Sequence, residues 1–136
     1  MTHTAAAPSL PSTRRRVLLP VVVAALAITA ACSDEDRREL GAQDAEESLQ
    51  GRVQQALAGQ GLELDGDLSC AATITSDDVV ASSCDGTTTS GAPVTGSYEG
   101  TADVSAGAET CAVRLVVLVA AEPVLDEPGV DCFDMG

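Results

Sequence analysis

The chain of 136 residues contains no lysine, and its one histidine, His3, stands near the beginning. After residue 31 neither residue type occurs, so the Ser-His-Asp, Cys-His and Ser-Lys pairs that activate nucleophiles cannot form there. Carboxylates are plentiful, but a catalytic carboxylate pair also needs a deep cleft, and a chain this short has little material for one. We therefore expect a protein that is not an enzyme.

Aromatic residues are almost absent, since only Tyr98 and Phe133 occur. The core must then be built from Val, Leu and Ala, and a small domain with such a core usually depends on covalent cross-links. The sequence has no Cys-x-x-Cys pair, which argues against a zinc site and a thioredoxin-like redox centre. The Asp65-Gly66-Asp67 segment lacks the other ligands of a calcium loop and is expected to be a solvated turn. We expect no metal and no cofactor.

Positive charge is scarce: seven arginines stand against 21 acidic residues, for a net charge of −14. Without residues 1–31, four arginines remain against the same 21 acids, and the net charge is −17. Such a field repels nucleic acid and anionic lipid headgroups, so no nucleic-acid partner is expected. The acidity either keeps the domain soluble or attracts a cationic partner.

The N-terminus has the layout of a secretory signal. Arg14-Arg15-Arg16 precede an apolar run over residues 17–31, and this run is too short for a permanent membrane span. Residues 1–31 are therefore predicted to be a signal peptide. The segment 13–18 also resembles a twin-arginine export motif, so the sequence leaves two export routes open.

Thr29-Ala30-Ala31-Cys32 resembles the lipobox of bacterial lipoproteins, in which the cysteine receives a diacylglycerol and becomes the new N-terminus. Thr29 departs from the aliphatic residue usual at that position, whereas Ala30 and Ala31 fit. The resemblance implies that the lipid on Cys32 holds the protein at the outer face of the cytoplasmic membrane. The alternative is an ordinary signal cleavage that releases a secreted protein without lipid.

Five cysteines are an odd number, and setting Cys32 aside for the lipid leaves four. Four cysteines in a small exported domain indicate two disulfides, with three possible connectivities. The favoured pairs are Cys70–Cys84 and Cys111–Cys132, because each pair is close in sequence and encloses a plausible turn or loop. Each such loop closure stabilises the fold by about 3 kcal/mol in the chain-entropy model.

The sequence predicts one helix. Residues 32–43 are expected to form a flexible acidic tether, after which Asp44 and Glu47 form a capping box. The helix ends at Gly59 and buries one apolar stripe. The stripe consists of Ala45, Leu49, Val53, Ala56 and Leu57. The folded domain is thus expected to cover residues 44–136.

Strands are predicted for the rest of the chain. The clearest is 94–104, in which apolar and polar residues alternate with period two. Residues 121–129 contain two prolines and are expected to be a loop. The complete set of expected strands is 68–74, 79–89, 94–104, 110–120 and a short edge strand at 130–133. The fold class that follows is α+β: one amphipathic helix on a small antiparallel sheet of three to five strands, with two disulfides.

Two side chains within these strands, Tyr98 and Arg114, are candidates for a functional role. Tyr98 lies on the apolar face of its strand and is expected in the core. Arg114 points opposite to Val113 and Leu115, so it either reaches an acid across the sheet or lies at the rim of the helix packing. A structural ion pair is expected rather than a ligand contact.

The helix, Leu68-Ser69-Cys70 and the run 83–95 (SCDGTTTSGAPVT) together resemble a family of small actinobacterial lipoproteins of unknown function. The likeness covers about residues 45–120, while the chain lacks the family's proline after the first cysteine and adds Cys111 and Cys132. The resemblance implies a fold and a location but no activity. The expected role is a non-catalytic interaction domain with a protein partner, and the alternative is a passive structural or envelope-maintenance lipoprotein.

Overall fold

The computed structural model describes residues 33–105 and 108–134. One helix precedes five strands, and the strands form a single antiparallel meander with the spatial order β1-β2-β3-β4-β5. The elements are α1 (Asp34–Gly59), β1 (Ser69–Ile74), β2 (Val79–Thr87), β3 (Pro93–Ser105), β4 (Ala108–Val119) and β5 (Glu122–Val130). The helix packs on one face of the sheet, mainly against β1, β2 and β3. The expected α+β class is confirmed.

The helix begins eleven residues earlier than the sequence suggested, with Ser33 rather than Asp44 as its N-cap. The Ser33 hydroxyl accepts from the Asp36 amide and the Ser33 amide donates to the Asp36 carboxylate, both at 3.2 Å. The prediction of an unstructured tether was therefore wrong over residues 34–43. Its acidic residues lie in the first turns of the helix, where negative charge is favourable to the helix dipole. In the described part of the chain no helix is both long and apolar enough to cross a membrane.

The expected apolar stripe of α1 forms the centre of the core. Ala45, Leu49, Val53 and Leu57 are buried against the inward face of the sheet. Gly96 of β3 leaves the space that Val53 occupies, because a Cβ at that position would collide with the valine side chain. At the other end of β3, Val104 faces Gly41. The helix therefore runs antiparallel to β3 and, since β1 and β3 have the same direction, antiparallel to β1 as well.

The predicted loop over residues 121–129 is wrong, because these residues form the edge strand β5. Both prolines are compatible with an edge strand, where one row of amide groups has no partner. Each also lies next to a shift in the pairing of β5 with β4, one between Val113 and Leu115 and one between Val117 and Leu118. The edge strand predicted at 130–133 was therefore wrong except at Val130, where β5 ends. Residues 131–134 follow it as a turn.

Candidate functional site: an acidic groove beside a free sheet edge

The predicted signal peptide and Cys32 lie outside the described residues. The other four cysteines form the two expected disulfides, Cys70–Cys84 and Cys111–Cys132, with Cα–Cα distances of 4.0 Å and 5.5 Å. Cys84 and Cys132 are buried, whereas Cys70 and Cys111 are partly buried. All four thiols are thus consumed in cross-links, and none of the four can act as a nucleophile or a metal ligand.

Tyr98 is fully buried, as expected, and belongs to a polar contact that fixes the C-terminal residues. Its hydroxyl lies 2.9 Å from the Ser48 hydroxyl, which donates to the Asp134 carbonyl at 3.2 Å. Because the single proton of Ser48 is used there, Tyr98 is the donor in the first bond. Burial raises the pKa of Tyr98 above its ordinary value, so the phenol keeps its proton. The cluster is a structural link between α1, β3 and the chain after β5.

Arg114 forms the expected ion pair, and its partner is Asp126 of β5. Two hydrogen bonds join them, from Nε to Oδ1 at 2.8 Å and from an Nη to Oδ2 at 2.6 Å. The hydrogen bond from Arg114 lowers the pKa of the Asp126 carboxyl. The arginine side chain is 61% exposed, so the pair cross-links two strands at the surface and does not form a ligand pocket.

No metal centre emerges from the described ranges 33–105 and 108–134, in which no three His, Cys, Asp or Glu side chains cluster as metal ligands. Asp65 and Asp67, the pair superficially like a calcium loop, are exposed and flank a bend at Gly66, whose φ is +84°. This agrees with the expected solvated turn.

The backbone of β1 presents unused hydrogen-bonding groups at the edge of the sheet. Cys70 and Cys84 are directly opposed at a Cα–Cα distance of 4.0 Å, which is typical of a non-hydrogen-bonded antiparallel pair. The Thr75 amide donates to the Val79 carbonyl at 3.0 Å, which gives the same alternation of hydrogen-bonded and non-hydrogen-bonded pairs along β1 and β2. The amide and carbonyl groups of Cys70, Ala72 and Ile74 therefore point away from β2, and no hydrogen bond within the described residues uses them.

A groove lies along this free edge, between β1 and the first turns of α1. Its volume is about 540 Å³. The floor is apolar, formed by Ala42, Ala72 and Ile74, and the wall on the helix carries the carboxylates of Glu35 and Glu39. These two glutamates are four residues apart and so lie on one face of the helix. We call this feature the β1 groove.

Arg38 also lines the β1 groove, and its Nε is buried without a hydrogen-bond acceptor among the described residues. A buried donor in this condition is unusual, because an unsatisfied polar group costs about 1–3 kcal/mol. Arg38 also lines a second, smaller cavity together with Asp34, Asp78 and Asp103. The arginine of the groove thus shares both cavities with acidic side chains.

Comparisons with protein-family models, with curated proteins and with solved structures found no match for this chain. Sequence reasoning missed the β1 groove because it assigned Glu35, Arg38 and Glu39 to a tether. The capping pattern Ser33-x-x-Asp36 was the signal that could have placed them on a helix.

Proposed function

We propose that the protein is a lipid-anchored domain on the outer face of the cytoplasmic membrane, where it binds another protein without catalysing a reaction. The anchor is a diacylglyceryl group on Cys32, left at the N-terminus once residues 1–31 are removed. Membership in the small actinobacterial lipoprotein family of unknown function, which the sequence resembles, is part of this proposal.

The observation that carries the proposal is the pairing of the other cysteines. Cys70 pairs with Cys84 and Cys111 with Cys132, so Cys32 is the one cysteine whose thiol remains to be accounted for. It follows a positively charged and apolar leader and two alanines, which is where lipid attachment would be expected. The helix cap at Ser33 is the next residue, so a lipid on Cys32 would hold α1 close to the membrane surface.

The absence of histidine and lysine after residue 31 supports a non-catalytic role. General acid catalysis by a carboxyl group requires a raised pKa, so that the group keeps its proton near neutral pH. Within residues 33–105 and 108–134, two carboxyl groups have displaced pKa values, Asp103 and Asp126, and hydrogen bonds from Ser105 and from Arg114 shift both downward. Both remain charged and are unsuited to that task.

Lipid attachment is tested by mass spectrometry of the protein extracted from membranes. The expected N-terminal peptide begins with Cys32 and carries a diacylglyceryl group, and Cys32→Ser should move the protein out of the membrane fraction. The double variant Cys70→Ser/Cys84→Ser is the matched control, because it removes two cysteines and should stay in the membrane. Recovery of the wild-type protein only from the culture fluid, with a free Cys32 thiol, would contradict the proposal.

The interaction role is tested in intact cells with a photo-crosslinking residue placed at Thr73, an exposed position on β1. A discrete cross-linked protein is expected from this edge. The same residue placed at Glu122, on the opposite edge of the sheet, serves as the control for random collisions. Identical patterns from both positions, or no adduct from either, would point instead to a passive structural role.

A further inference from the structure

We infer that the β1 groove takes up an extended, basic peptide segment of a partner protein, which adds to the sheet as a sixth strand next to β1. The inference rests on the proposed interaction role and names the surface and the chemistry of the partner. Main-chain hydrogen bonds to Cys70, Ala72 and Ile74 would provide the affinity, and contacts to Glu35 and Glu39 would provide the selectivity.

The sequence of β1 has none of the features that normally protect a sheet edge. Its six residues, SCAATI, include no charge and no proline, and their pairing with β2 is regular throughout. A strand of this kind is a ready template for pairing with another chain. The unused backbone groups define where the added strand lies, at about 4.8 Å from β1.

The charge around the groove decides which chain can occupy it. A second copy of this protein would bring its own Glu35 and Glu39 against the same residues, and like charges across an interface disfavour association. The domain after residue 31 has a net charge of −17, which adds a long-range repulsion between copies. A segment with lysine or arginine side chains is attracted by both terms.

The spacing of the two glutamates matches an extended ligand. Residues four apart on a helix are separated by about 6 Å along its axis, and alternate residues of a strand by about 6.7 Å. Since α1 runs antiparallel to β1, Glu35 and Glu39 follow one another along the groove. Two basic side chains at alternate positions of the added strand can therefore each face one glutamate.

The test measures binding of fluorescent peptides to the purified protein by anisotropy at low salt. The probe is a short peptide of alternating lysine and valine, and its counterpart has glutamate in place of lysine. Two N-methylated versions of the lysine peptide, isomers of each other, carry the methyl groups on all lysines or on all valines. Each version lacks the amide hydrogen-bond donors of one edge of the peptide. The lysine peptide should bind, the glutamate peptide should not, and one of the two methylated isomers should lose its binding.

Variants of the protein locate the site. Ala72→Pro removes an amide that the sheet does not use, so the fold is retained while binding falls at least tenfold. Glu35→Gln/Glu39→Gln should weaken binding about threefold to tenfold. Glu46→Gln/Glu47→Gln, which removes the same charge elsewhere on α1, should leave binding unchanged.

Equal binding of both methylated isomers, unchanged binding by Ala72→Pro, or no binding of the lysine peptide would each overturn the inference. Should Ala72→Pro fail to fold, the methylated isomers alone still decide the matter. Sedimentation of the wild-type protein would reveal a dimer if a second copy occupied the edge, which would also overturn it. None of these measurements depends on a lipid. A free Cys32 thiol would therefore contradict lipid attachment without affecting the inference about the β1 groove.

Discussion

The two edges of the sheet are protected in different ways. β5 carries two prolines, two shifts of register and the acidic residues Glu122, Asp126 and Glu127, all of which oppose pairing with another chain. β1 carries none of these and instead lies beside α1, with a groove between them. The contrast indicates that one edge is closed by its own sequence, whereas the other is left able to accept a strand.

Each edge is also cross-linked by one disulfide, and the two bonds constrain different things. Cys70–Cys84 joins directly opposed residues of the β1–β2 hairpin. Cys111–Cys132 joins β4 to a residue beyond the end of β5, and thereby holds the segment that contains Phe133 and Asp134 against the helix. Removing one bond at a time is therefore the most direct way to compare the edges.

The largest effect is expected from Cys111→Ser/Cys132→Ser. The bond closes a loop with a sequence separation of 21, worth about 3 kcal/mol in the chain-entropy model, and Cys132 is fully buried. Urea denaturation should show a loss of about this size, and amide exchange should accelerate in β5 and residues 131–134. Faster exchange confined to β1 would mean that the two edges are not independent.

A slightly smaller loss is expected from Cys70→Ser/Cys84→Ser. The sequence separation is 14, which lowers the entropic contribution by a few tenths of a kcal/mol relative to the longer loop. The hairpin also retains its backbone hydrogen bonds, so the accelerated exchange should stay within β1 and β2. A loss clearly greater than that of the first variant would show that the β1 edge, and not the C-terminal segment, limits stability.

The sequence predicted the centre of the sheet better than it predicted β5 and the start of α1. The strand 94–104 was predictable because alternation alone assigns its two faces, and the cysteine pairs were predictable because each closes a short loop. β5 was missed because prolines are usually read as loop residues, although an edge strand tolerates them. The start of α1 was missed because an acidic run is equally typical of a solvated tether and of a helix N-terminus. The β1 groove depends on that start, so it was missed as well.

A moderate gain in stability is expected at the hairpin that leads into β5. Ala120 and Ala121 have φ values of +51° and +65°, and the left-handed region costs an L-residue about 1–2 kcal/mol. Asparagine followed by glycine is the preferred pair in a two-residue turn of this geometry. Ala120→Asn/Ala121→Gly should raise the free energy of unfolding by about 1 kcal/mol, measured in urea. Ala121→Val, which is β-branched, is the opposing control and should lower it.

The smallest effect is expected from the surface pair between Arg114 and Asp126. The hydrogen bond from Arg114 lowers the pKa of Asp126 in the folded state, so its contribution to stability is present above the pKa of the unfolded chain, about 4. That contribution is lost as the pH falls through the lower, folded-state value. Arg114→Gln should therefore have a slightly lower urea midpoint than the wild type near pH 7, and the two midpoints should converge near pH 2. Glu109→Gln, which alters charge on the same strand away from this pair, should show no such convergence. A difference between Arg114→Gln and wild type that persists at low pH would show that the arginine stabilises β5 through its packing and not through its charge.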